Sequence, residues 1–438
     1  MPFPCDFGAL ADAVERCVVP EVRGKVTATG ELWLEAVLPG ARVGAQAFVE
    51  RRGLGSLVAE VAWCNGSLAR LVPLDPGEGA AVGDTVVLGP AAGAFPCGPD
   101  LFGRVVDPLG RPLDGGPALA GVTPFPLCRK APGPLARRPV TEQLVTGVRA
   151  IDGCLAIGVG QRIGLFAGPG LGKSTLLGTL ARARHEGPSV VCLVGERGRE
   201  VGEFVERILT RDGLARSVVI VATADSPPAL RARALSAATA CAEWFRARGE
   251  HVLLLVDSLT RAARARRDVA LALGEPPVRG GYPASTFSFL PGLLERAGCD
   301  GLGSITGVYA VLTEGDGDDP LAEEARSLLD GHIALSQKLA RTGRWPAVDL
   351  VRSVSRVMER VVPKDQLAAA RALARILGAY EENEDLVLMG AYRRGASRDT
   401  DLALARKDAI EIFLRQGTHE TSSLAQTRER LAALVAGA

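Results

Sequence analysis

The sequence predicts an α/β protein, in which a parallel sheet flanked by helices follows a small all-β domain and precedes a small helical domain. Three observations support this prediction. Short β-type segments separated by turn residues occupy residues 20–92. From about residue 147, apolar strands alternate with helical stretches, as in a parallel sheet with helices on both faces. Beyond about residue 365, the apolar residues follow a helical period.

The composition is that of a folded protein, with 438 residues, 47% of them hydrophobic and 23% charged. The formal net charge of +1 argues neither for nor against a nucleic acid or an acidic membrane as partner. No uncharged apolar run reaches about 18 residues, so we expect no membrane-spanning helix. The N-terminus lacks the basic region of a secretory signal. The 9 cysteines are scattered, and we expect most of them to be buried free thiols in a reducing cytosol.

Four segments follow from these patterns: an N-terminal helix at 1–19, a β-barrel at 20–95, an α/β core at 96–364 and a helical domain at 365–438. Leu10, Val14, Cys17 and Val18 share one helical face, so residues 10–19 predict an amphipathic helix that packs or lies on a membrane surface. The barrel prediction, with a sandwich as the alternative, rests on KVTATG, LWLEAVLPG, SLVAEVAW and DTVVLG.

The strands predicted for the parallel sheet are QRIGLFAG, SVVCLVGE, SVVIVATAD, HVLLLVDS and GSITGVYAVLTEG. A Pro- and Gly-rich passage before them reads as an ordered connector. The C-terminal helices are predicted at DQLAAARALARILGAY, DTDLALARKDAIEIFLRQ and SLAQTRERLAALVAGA.

Residues 167–174 read AGPGLGKS, which matches the phosphate-binding pattern G-x-x-x-x-G-K-[ST] except for alanine at the first position. The motif follows an apolar strand and opens a helix, which is the context it requires. We predict that backbone N–H groups of residues 170–175 cradle phosphates, that Lys173 reaches the β- and γ-phosphates, and that Ser174 holds Mg²⁺. The residues predicted to bind the nucleotide here are Gly168, Gly170, Leu171, Gly172, Lys173, Ser174 and Thr175.

Pro169 has no N–H group, although the work of such a loop is done by backbone N–H groups. It lies early in the loop, before the stretch that wraps the β-phosphate. We therefore infer that its N–H is not among those needed.

Two carboxylates are candidates for turning phosphate binding into hydrolysis. Asp257 ends an apolar strand and would face the loop to hold Mg²⁺, although it could also serve only as a helix N-cap. Glu196 follows the strand SVVCLVG, the next one in sequence after the helix that the phosphate motif opens, and could orient the attacking water. Arg197 beside it could neutralise phosphate charge or pair with an acid. From the pattern alone, a solvated Glu–Arg pair is an equal alternative for these last two residues.

The chain resembles the ATPases of type III secretion systems and flagellar export, relatives of the α and β subunits of rotary ATP synthases. The resemblance covers about residues 98–420 and rests on motifs such as TGVRAIDGCLAIGVGQRIGLFAGPGLGKSTLL, LVGERGREVGEF, LLLVDSLTRAAR, GEPPVRGGYPASTFSFLPGLLERAG, SLLDGHIALS, PAVDLVRSVSRVM and FLRQGTHE. It implies an N-terminal β-barrel, a RecA-like P-loop ATPase core, a C-terminal helical domain and a homohexameric ring with nucleotide between subunits.

The resemblance also implies residue roles. Glu196 is expected to be the catalytic carboxylate, Arg356 of the SVSR motif to reach into the neighbouring subunit's site, and Trp345 to lie against the adenine. Because Glu196 and Arg356 occur in one chain, identical subunits can complete each other's sites, which favours a closed head-to-tail homomer.

Three residues depart from the family pattern. Trp345 stands where relatives carry tyrosine, and packing at a hinge is the alternative to adenine stacking. Gln337 replaces an arginine after "LS", and Gly292 replaces a basic residue in a loop thought to line the pore. The basic run at 261–267 is interpreted as a helix face with mixed salt bridges.

The leading hypothesis is an ATP-hydrolysing motor that uses Mg²⁺, releases chaperones, unfolds export substrates and feeds them to a membrane export gate. It would work at the cytoplasmic face of the inner membrane, with a central stalk protein and a peripheral-stalk regulator as partners and no nucleic acid. FLRQGTHE favours an injectisome over a flagellar member. The alternatives are a flagellar export ATPase, a catalytic subunit of a rotary ATP synthase, an RNA translocase and a non-catalytic ring subunit.

Overall fold

The computed structural model describes residues 21–89, 93–183, 187–313 and 319–436. The predicted N-terminal helix at 1–19 lies outside these residues. The chain divides into two compact units, Met1–Gly93 and Ala94–Ala438, and each is described by itself.

The first unit contains a closed antiparallel barrel with the strand order β1-β2-β5-β4-β3-β6. Its strands are β1 (Arg23–Thr29), β2 (Leu34–Val37), β3 (Gln46–Arg51), β4 (Gly55–Asn65), β5 (Leu68–Pro73) and β6 (Thr85–Leu88). Alternate side chains point inward, so that Ala47 and Val49 of β3 are fully buried among Leu57 and Ala59 of β4. The barrel predicted from the sequence is confirmed.

The second unit is built around a nine-stranded sheet with the order β21-β20-β12-β19-β15-β13-β14-β8, and β18 pairs with β19 beside this path. The strands of the sheet are β8 (Val105–Val106), β12 (Arg162–Ala167), β13 (Ser189–Val194), β14 (Ser217–Ala222), β15 (His251–Asp257), β18 (Gly298–Cys299), β19 (Ser304–Leu312), β20 (Gly331–Leu335) and β21 (Val348–Ser355). The pairs from β20 to β8 along the order are parallel, and β21 runs antiparallel to β20.

Short two-stranded pairs lie outside the sheet. They join β7 (Ala94–Cys97) to β9 (Thr123–Pro126), β10 (Gln143–Leu144) to β11 (Ile157–Gly158), and β16 (Pro277–Arg279) to β17 (Tyr282–Pro283). Single 3₁₀ turns cover Pro99–Leu101 and Pro134–Ala136.

Helices cover both faces of the sheet, which explains why its central strands are apolar throughout. Every residue of β13 is buried, with Val191 and Leu193 in one hydrophobic cluster and Val190 and Cys192 in the other. The helices of the core are α1 (Arg149–Cys154), α2 (Lys173–Arg182), α3 (Gly198–Glu203), which continues as a π-helical turn (Phe204–Leu209), α4 (Thr210–Leu214), α5 (Pro228–Arg246), α6 (Leu259–Ala272), α7 (Ala284–Leu294), α8 (Pro320–Leu328), α9 (Gln337–Arg341) and α10 (Met358–Val361).

The C-terminal part is helical, as predicted. It contains α11 (Lys364–Leu388), α12 (Arg398–Ala405), α13 (Lys407–Leu414) and α14 (Leu424–Val435). Leu373 and Ile376 of α11 join Phe413 of α13 and Leu431 of α14 in the same hydrophobic cluster as the P-loop helix α2. Within this unit, the helical part therefore shares one hydrophobic core with the helix that follows the phosphate-binding loop.

The structure locates the residues that depart from the family pattern. Gly292 is exposed within helix α7, so the pore loop expected there is helical at this position. Gln337 is exposed at the start of α9. Among the described cysteines five are buried, but Cys64 is partly exposed and Cys128 is exposed. In the described ranges, none of the helices has the length and apolar character needed to cross a membrane.

Candidate active site

The loop between β12 and α2 presents a row of backbone donors. Among the described residues, none accepts a hydrogen bond from the N–H groups of residues 170–175. Gly170 and Gly172 have φ values of 75° and 76°, a left-handed conformation that side chains disfavour. Pro169 precedes this row of donors. The loop can therefore hold an anion at the start of α2, where the helix dipole also favours negative charge.

Lys173, Ser174 and Asp257 meet beside this loop. Asp257 ends β15, is 1% exposed, and accepts a 2.7 Å hydrogen bond from the Ser174 hydroxyl at its Oδ2 atom. Its Oδ1 atom forms an ion pair with Lys173 Nζ. The strand order brings Asp257 here, because only β19 separates β15 from β12 in the sheet and the carboxyl ends of parallel strands lie on the same side of it.

Glu196 lies next to this group and is held by a second cation. It follows β13, is 8% exposed, and its Oε1 atom lies 3.8 Å from Lys173 Nζ. Arg261, in the first turn of α6, forms an ion pair with Glu196 and donates a 2.9 Å hydrogen bond to the carbonyl of Gly195. Carboxylates and cations thus alternate beside the phosphate loop, in the order Asp257, Lys173, Glu196 and Arg261.

The pKa of Glu196 is raised above the ordinary glutamate value. Burial is the largest cause, since it disfavours the charged carboxylate, and the negative charge of Asp257 and a hydrogen bond with Glu200 act in the same direction. The hydrogen bond from Arg261 and the charge of Lys173 oppose this shift. Perturbed carboxylates of this kind are common at catalytic sites.

The structure does not bring the Arg197 side chain to this group. Arg197 is exposed at the N-terminus of α3, and its backbone N–H donates to the Glu200 carboxylate at 3.4 Å. Within the described part of the chain, its guanidinium forms no salt bridge. This arrangement places Arg261, rather than Arg197, at the Glu196 carboxylate.

A cavity of about 360 Å³ opens beside the loop, and Trp345 forms part of its lining. The indole lies against the loop, because a Cβ atom added to Gly172 would be 3.0 Å from its ring. The other side of the cavity is formed by Gln416, Gly417 and Thr418, which follow helix α13. A flat apolar group attached to a loop-bound phosphate would therefore meet the Trp345 ring.

Arg356 lies at the opposite end of the sheet from the phosphate loop. Its backbone N–H donates to the carbonyl of Asp330 at 3.1 Å, just before β20, and β20 runs parallel to β12 with His332 opposite Gly164. Arg356 is thus level with the start of β12. The phosphate loop follows the other end of β12, about 16 Å away along the strand at ~3.3 Å per residue. It is exposed, and it forms no salt bridge with a described residue. Arg356 cannot reach the loop of its own chain.

Comparison with known proteins decides the family. The model of the ATP synthase alpha/beta family, nucleotide-binding domain, matches residues 147–355, and that of the T3SS EscN ATPase C-terminal domain matches residues 362–433. The chain is 45% identical over 432 residues to the flagellum-specific ATP synthase of Pseudomonas aeruginosa, and the alignment covers 97% of this chain and 96% of that protein. The chain belongs to the family of type III secretion and flagellum-specific ATPases.

Other members of this ATPase family support the assignment. The type 3 secretion system ATPase of Xanthomonas euvesicatoria is 51% identical over 339 residues, which are 77% of each chain. The assembled ATPase EscN of enteropathogenic E. coli has a similar structure, with a TM-score of 0.89 and 41% identity over 94% of this chain and 100% of that chain. EscN in complex with its central stalk EscO gives a TM-score of 0.87 with the same identity and coverage.

These findings confirm the predicted fold class, a RecA-like P-loop ATPase core with an N-terminal barrel and a C-terminal helical domain. They also confirm the predicted enzyme class: this is an ATPase of the family that serves type III secretion and flagella, with a nucleotide as its substrate.

The sequence does not reveal the roles of two arginines, Arg261 beside Glu196 and Arg149 behind the cavity. The sequence predicts Arg261 on a helix face with mixed salt bridges, and it does form one, but the pattern does not show that its partner is Glu196. Arg149 is 4% exposed and donates to the carbonyls of Phe413 at 2.8 Å and Arg415 at 2.6 Å, at the end of α13. No local pattern could show that contact, because the partners are more than 260 residues apart.

Proposed function

We propose that this ATPase is the motor of a type III protein export apparatus, which releases chaperones, unfolds export substrates and delivers them to a membrane export gate. ATP hydrolysis is inferred from the convergence of Lys173, Asp257 and Glu196 at the carboxyl ends of the parallel strands. Arg356 lies level with the opposite ends of these strands. Family membership supports the link to export.

Phosphate binding is assigned to the loop that contains Gly168, Gly170, Leu171 and Gly172 and to the first helical residues Lys173, Ser174 and Thr175. The free N–H groups of residues 170–175 support this assignment. Pro169 lies outside this row of donors, so its missing N–H removes none of them.

Ser174 and Asp257 would hold Mg²⁺. Their 2.7 Å contact joins a hydroxyl to a carboxylate, and hard oxygen ligands of this kind are those that Mg²⁺ prefers. The ion would neutralise charge on the β- and γ-phosphates of ATP. Lys173 would then turn from Asp257 towards the γ-phosphate, to which its amino group donates.

Glu196 would orient the attacking water and accept its proton. Its position 3.8 Å from Lys173 supports this role, because Lys173 marks where the γ-phosphate lies. Arg261 would act as a positioning residue that keeps the Glu196 carboxylate directed at this point. Arg197, for which the sequence suggested a catalytic role, would at most add positive charge from the exposed start of α3.

Arg356 would complete the site of a neighbouring subunit in a homohexameric ring. Its exposure and its place at the far end of the sheet support action in trans, since the arginine cannot serve its own chain. In such a ring every interface carries both halves of a site, and an arginine finger can raise the rate by roughly 10³–10⁵. Trp345 would stack on the adenine of the bound ATP.

The proposed partners are a central stalk protein, a peripheral-stalk regulator, chaperone–substrate complexes and the export gate, at the cytoplasmic face of the inner membrane. The solved complex of the relative EscN with its central stalk EscO supports the first of these partners. We propose no nucleic acid as partner, so RNA should leave hydrolysis unchanged.

The decisive experiment has two parts. Purified wild-type protein should hydrolyse ATP in the presence of Mg²⁺, and Lys173→Ala should abolish this activity without unfolding the protein, as judged by circular dichroism. In its own cells, the tagged ATPase should co-purify with a stalk protein and export chaperones. Persistent activity of Lys173→Ala would overturn the site, and co-purification with membrane ATP synthase subunits instead would overturn the export role.

An injectisome is the favoured apparatus, and a flagellum is the second candidate. FLRQGTHE favours the former, whereas the P. aeruginosa relative, which aligns over nearly its whole length, is a flagellum-specific protein. Co-purified needle and tip components would support the injectisome, and hook and filament components would support the flagellum.

A further inference from the structure

The cavity beside the phosphate loop is lined by both apolar and polar side chains. Besides the indole ring, the apolar lining residues are Val148, Leu171, Leu176, Leu335 and Pro346. The polar lining comes from a few side chains and from the turn at 416–418. Which bases the cavity accepts depends on whether these polar groups are free to bond to a base.

Gln416 is the most deeply placed polar side chain of the lining, at 6% exposed. Its amide oxygen accepts from the backbone N–H of Arg149 at 2.9 Å. Its amide nitrogen donates to the carbonyls of Gly147 at 2.7 Å and Glu420 at 2.8 Å. An amide has two N–H donors, so Gln416 has none left for a base.

The other lining side chains that could select a base are also engaged. The Thr179 hydroxyl donates to the carbonyl of Thr175 at 2.9 Å and accepts from Arg182 at 3.3 Å. The Glu420 carboxylate accepts from the N–H of Gly417 at 3.1 Å and forms an ion pair with Arg149, the buried arginine of α1. Both groups are therefore already hydrogen-bonded within the protein, and each oxygen of the Glu420 carboxylate has one partner there.

Two backbone groups of the turn beyond α13 are engaged as well. The Gln416 N–H donates to the carbonyl of Trp345 at 2.7 Å, and Arg182 donates to the carbonyl of Thr418 at 2.6 Å. Among the described polar side chains of the lining, the Thr175 and Thr418 hydroxyls alone form no hydrogen bond within the protein. A hydroxyl rotates to donate or to accept, so it bonds equally well to the amino group of adenine or the carbonyl of guanine.

We infer that this ATPase does not choose between purines and hydrolyses GTP as well as ATP, its substrate class being purine nucleoside triphosphates. A site rejects an analogue strongly only where it hydrogen-bonds the group that differs, and here the base is held by stacking and apolar contact. The inference rests on the proposed function, since it assumes that the triphosphate lies on the Lys173 loop.

The test measures kcat/KM for ATP and GTP under identical Mg²⁺ concentrations. We expect the two values to lie within about 10-fold of each other, because stacking tolerates any purine. Trp345→Ala should raise KM for both nucleotides by a similar factor, about 5- to 150-fold for the loss of one stacked base. Trp345→Tyr should restore most of the affinity for both. Trp63→Phe, at an exposed barrel tryptophan, is the matched control and should change neither KM.

A preference for ATP over GTP of more than about 100-fold in the wild type would overturn the inference and leave the hydrolase intact. So would a loss confined to one purine in Trp345→Ala. Failure of the proposed function looks different, because the wild type would then hydrolyse neither nucleotide or Lys173→Ala would remain active.

Discussion

The Arg261 guanidinium forms an ion pair with the Glu196 carboxylate and donates a 2.9 Å hydrogen bond to the carbonyl of Gly195, the residue before it. One side chain thus fixes both the carboxylate and the peptide that carries it. The pairing depends on β13 and β15 being adjacent strands, since Arg261 follows β15 and Glu196 follows β13.

Replacing the Glu196 carboxylate should separate binding from hydrolysis. We expect Glu196→Gln to lower kcat by at least about 100-fold, because an amide cannot take a proton from water. The nucleotide affinity should change by less than about threefold, since the loop donors and Lys173 are untouched. Stopped-flow binding and steady-state turnover measure the two quantities. Unchanged turnover would remove Glu196 from catalysis.

The raised pKa of Glu196 predicts where activity is lost in acid. Glu196 must be ionised to accept a proton, so kcat/KM should fall as the pH drops through its pKa, at a higher pH than an ordinary glutamate near about 4.3 would give. Arg261→Gln removes a hydrogen bond that lowers this pKa, and it should move the fall to still higher pH. Arg267→Gln, on the same helix, is the control. An unshifted profile in Arg261→Gln would argue against positioning by Arg261.

Mixing two inactive variants should restore activity if Arg356 acts in trans. In rings assembled from equal amounts of Arg356→Ala and Lys173→Ala chains, about a quarter of the interfaces combine an intact loop with an intact arginine. ATPase assays across mixing ratios should show a maximum near equal amounts. A flat, inactive series with proven subunit mixing would contradict the arrangement.

A methyl group at Gly172 should weaken both the loop and the base cavity. Gly172→Ala places a Cβ atom 3.0 Å from the Trp345 ring, in addition to the left-handed backbone penalty of about 1–2 kcal/mol. Gly281 has a similar φ of 79° and open space around it, so Gly281→Ala reports the backbone penalty alone. We expect a larger loss of nucleotide affinity and of thermal stability in Gly172→Ala. Equal losses of stability would mean that the ring moves aside freely.

The core contains a buried ion pair whose rupture should be costly. Arg296 donates to both Glu243 oxygens, at 3.1 and 2.6 Å, and the two side chains are 5% and 1% exposed. Arg296→Ala leaves the buried Glu243 charge with Arg246, 3.8 Å away, as its remaining partner, and should lower the unfolding free energy by about 3 kcal/mol, the lower end of the usual range. The Arg279–Glu323 pair is 54% and 47% exposed, and Arg279→Ala should cost at most about 1 kcal/mol. Denaturant unfolding of both variants measures the contrast.

The sequence allowed good prediction of elements whose signals are local. Five parallel strands, the phosphate loop and the C-terminal helices followed from apolar runs, a glycine-rich motif and helical periodicity. Asp257 and Glu196 could be placed near the loop because parallel strands end at one edge. These inferences need only the chain neighbourhood and one rule of sheet geometry.

The rest depended on contacts between distant segments. Without the family resemblance, SVSRVMERVV resembles a helix edge, but its first residues end β21 and α10 begins only at Met358. Pairing with β20 overrides the local helical pattern. Likewise, the Gln416 side chain accepts from the N–H of Arg149 and donates to the carbonyl of Gly147, and no spacing within either segment shows that the two segments meet.

The contact of Lys173 with Asp257 sets a condition on what the phosphate loop can bind. While the two are paired, the lysine charge is already balanced by a buried carboxylate, and an anion alone gains little from it. Lys173 can turn to a phosphate only when another cation takes its place at Asp257. We therefore expect the loop to favour a nucleotide that arrives together with its own cation over free phosphate or a metal-free nucleotide.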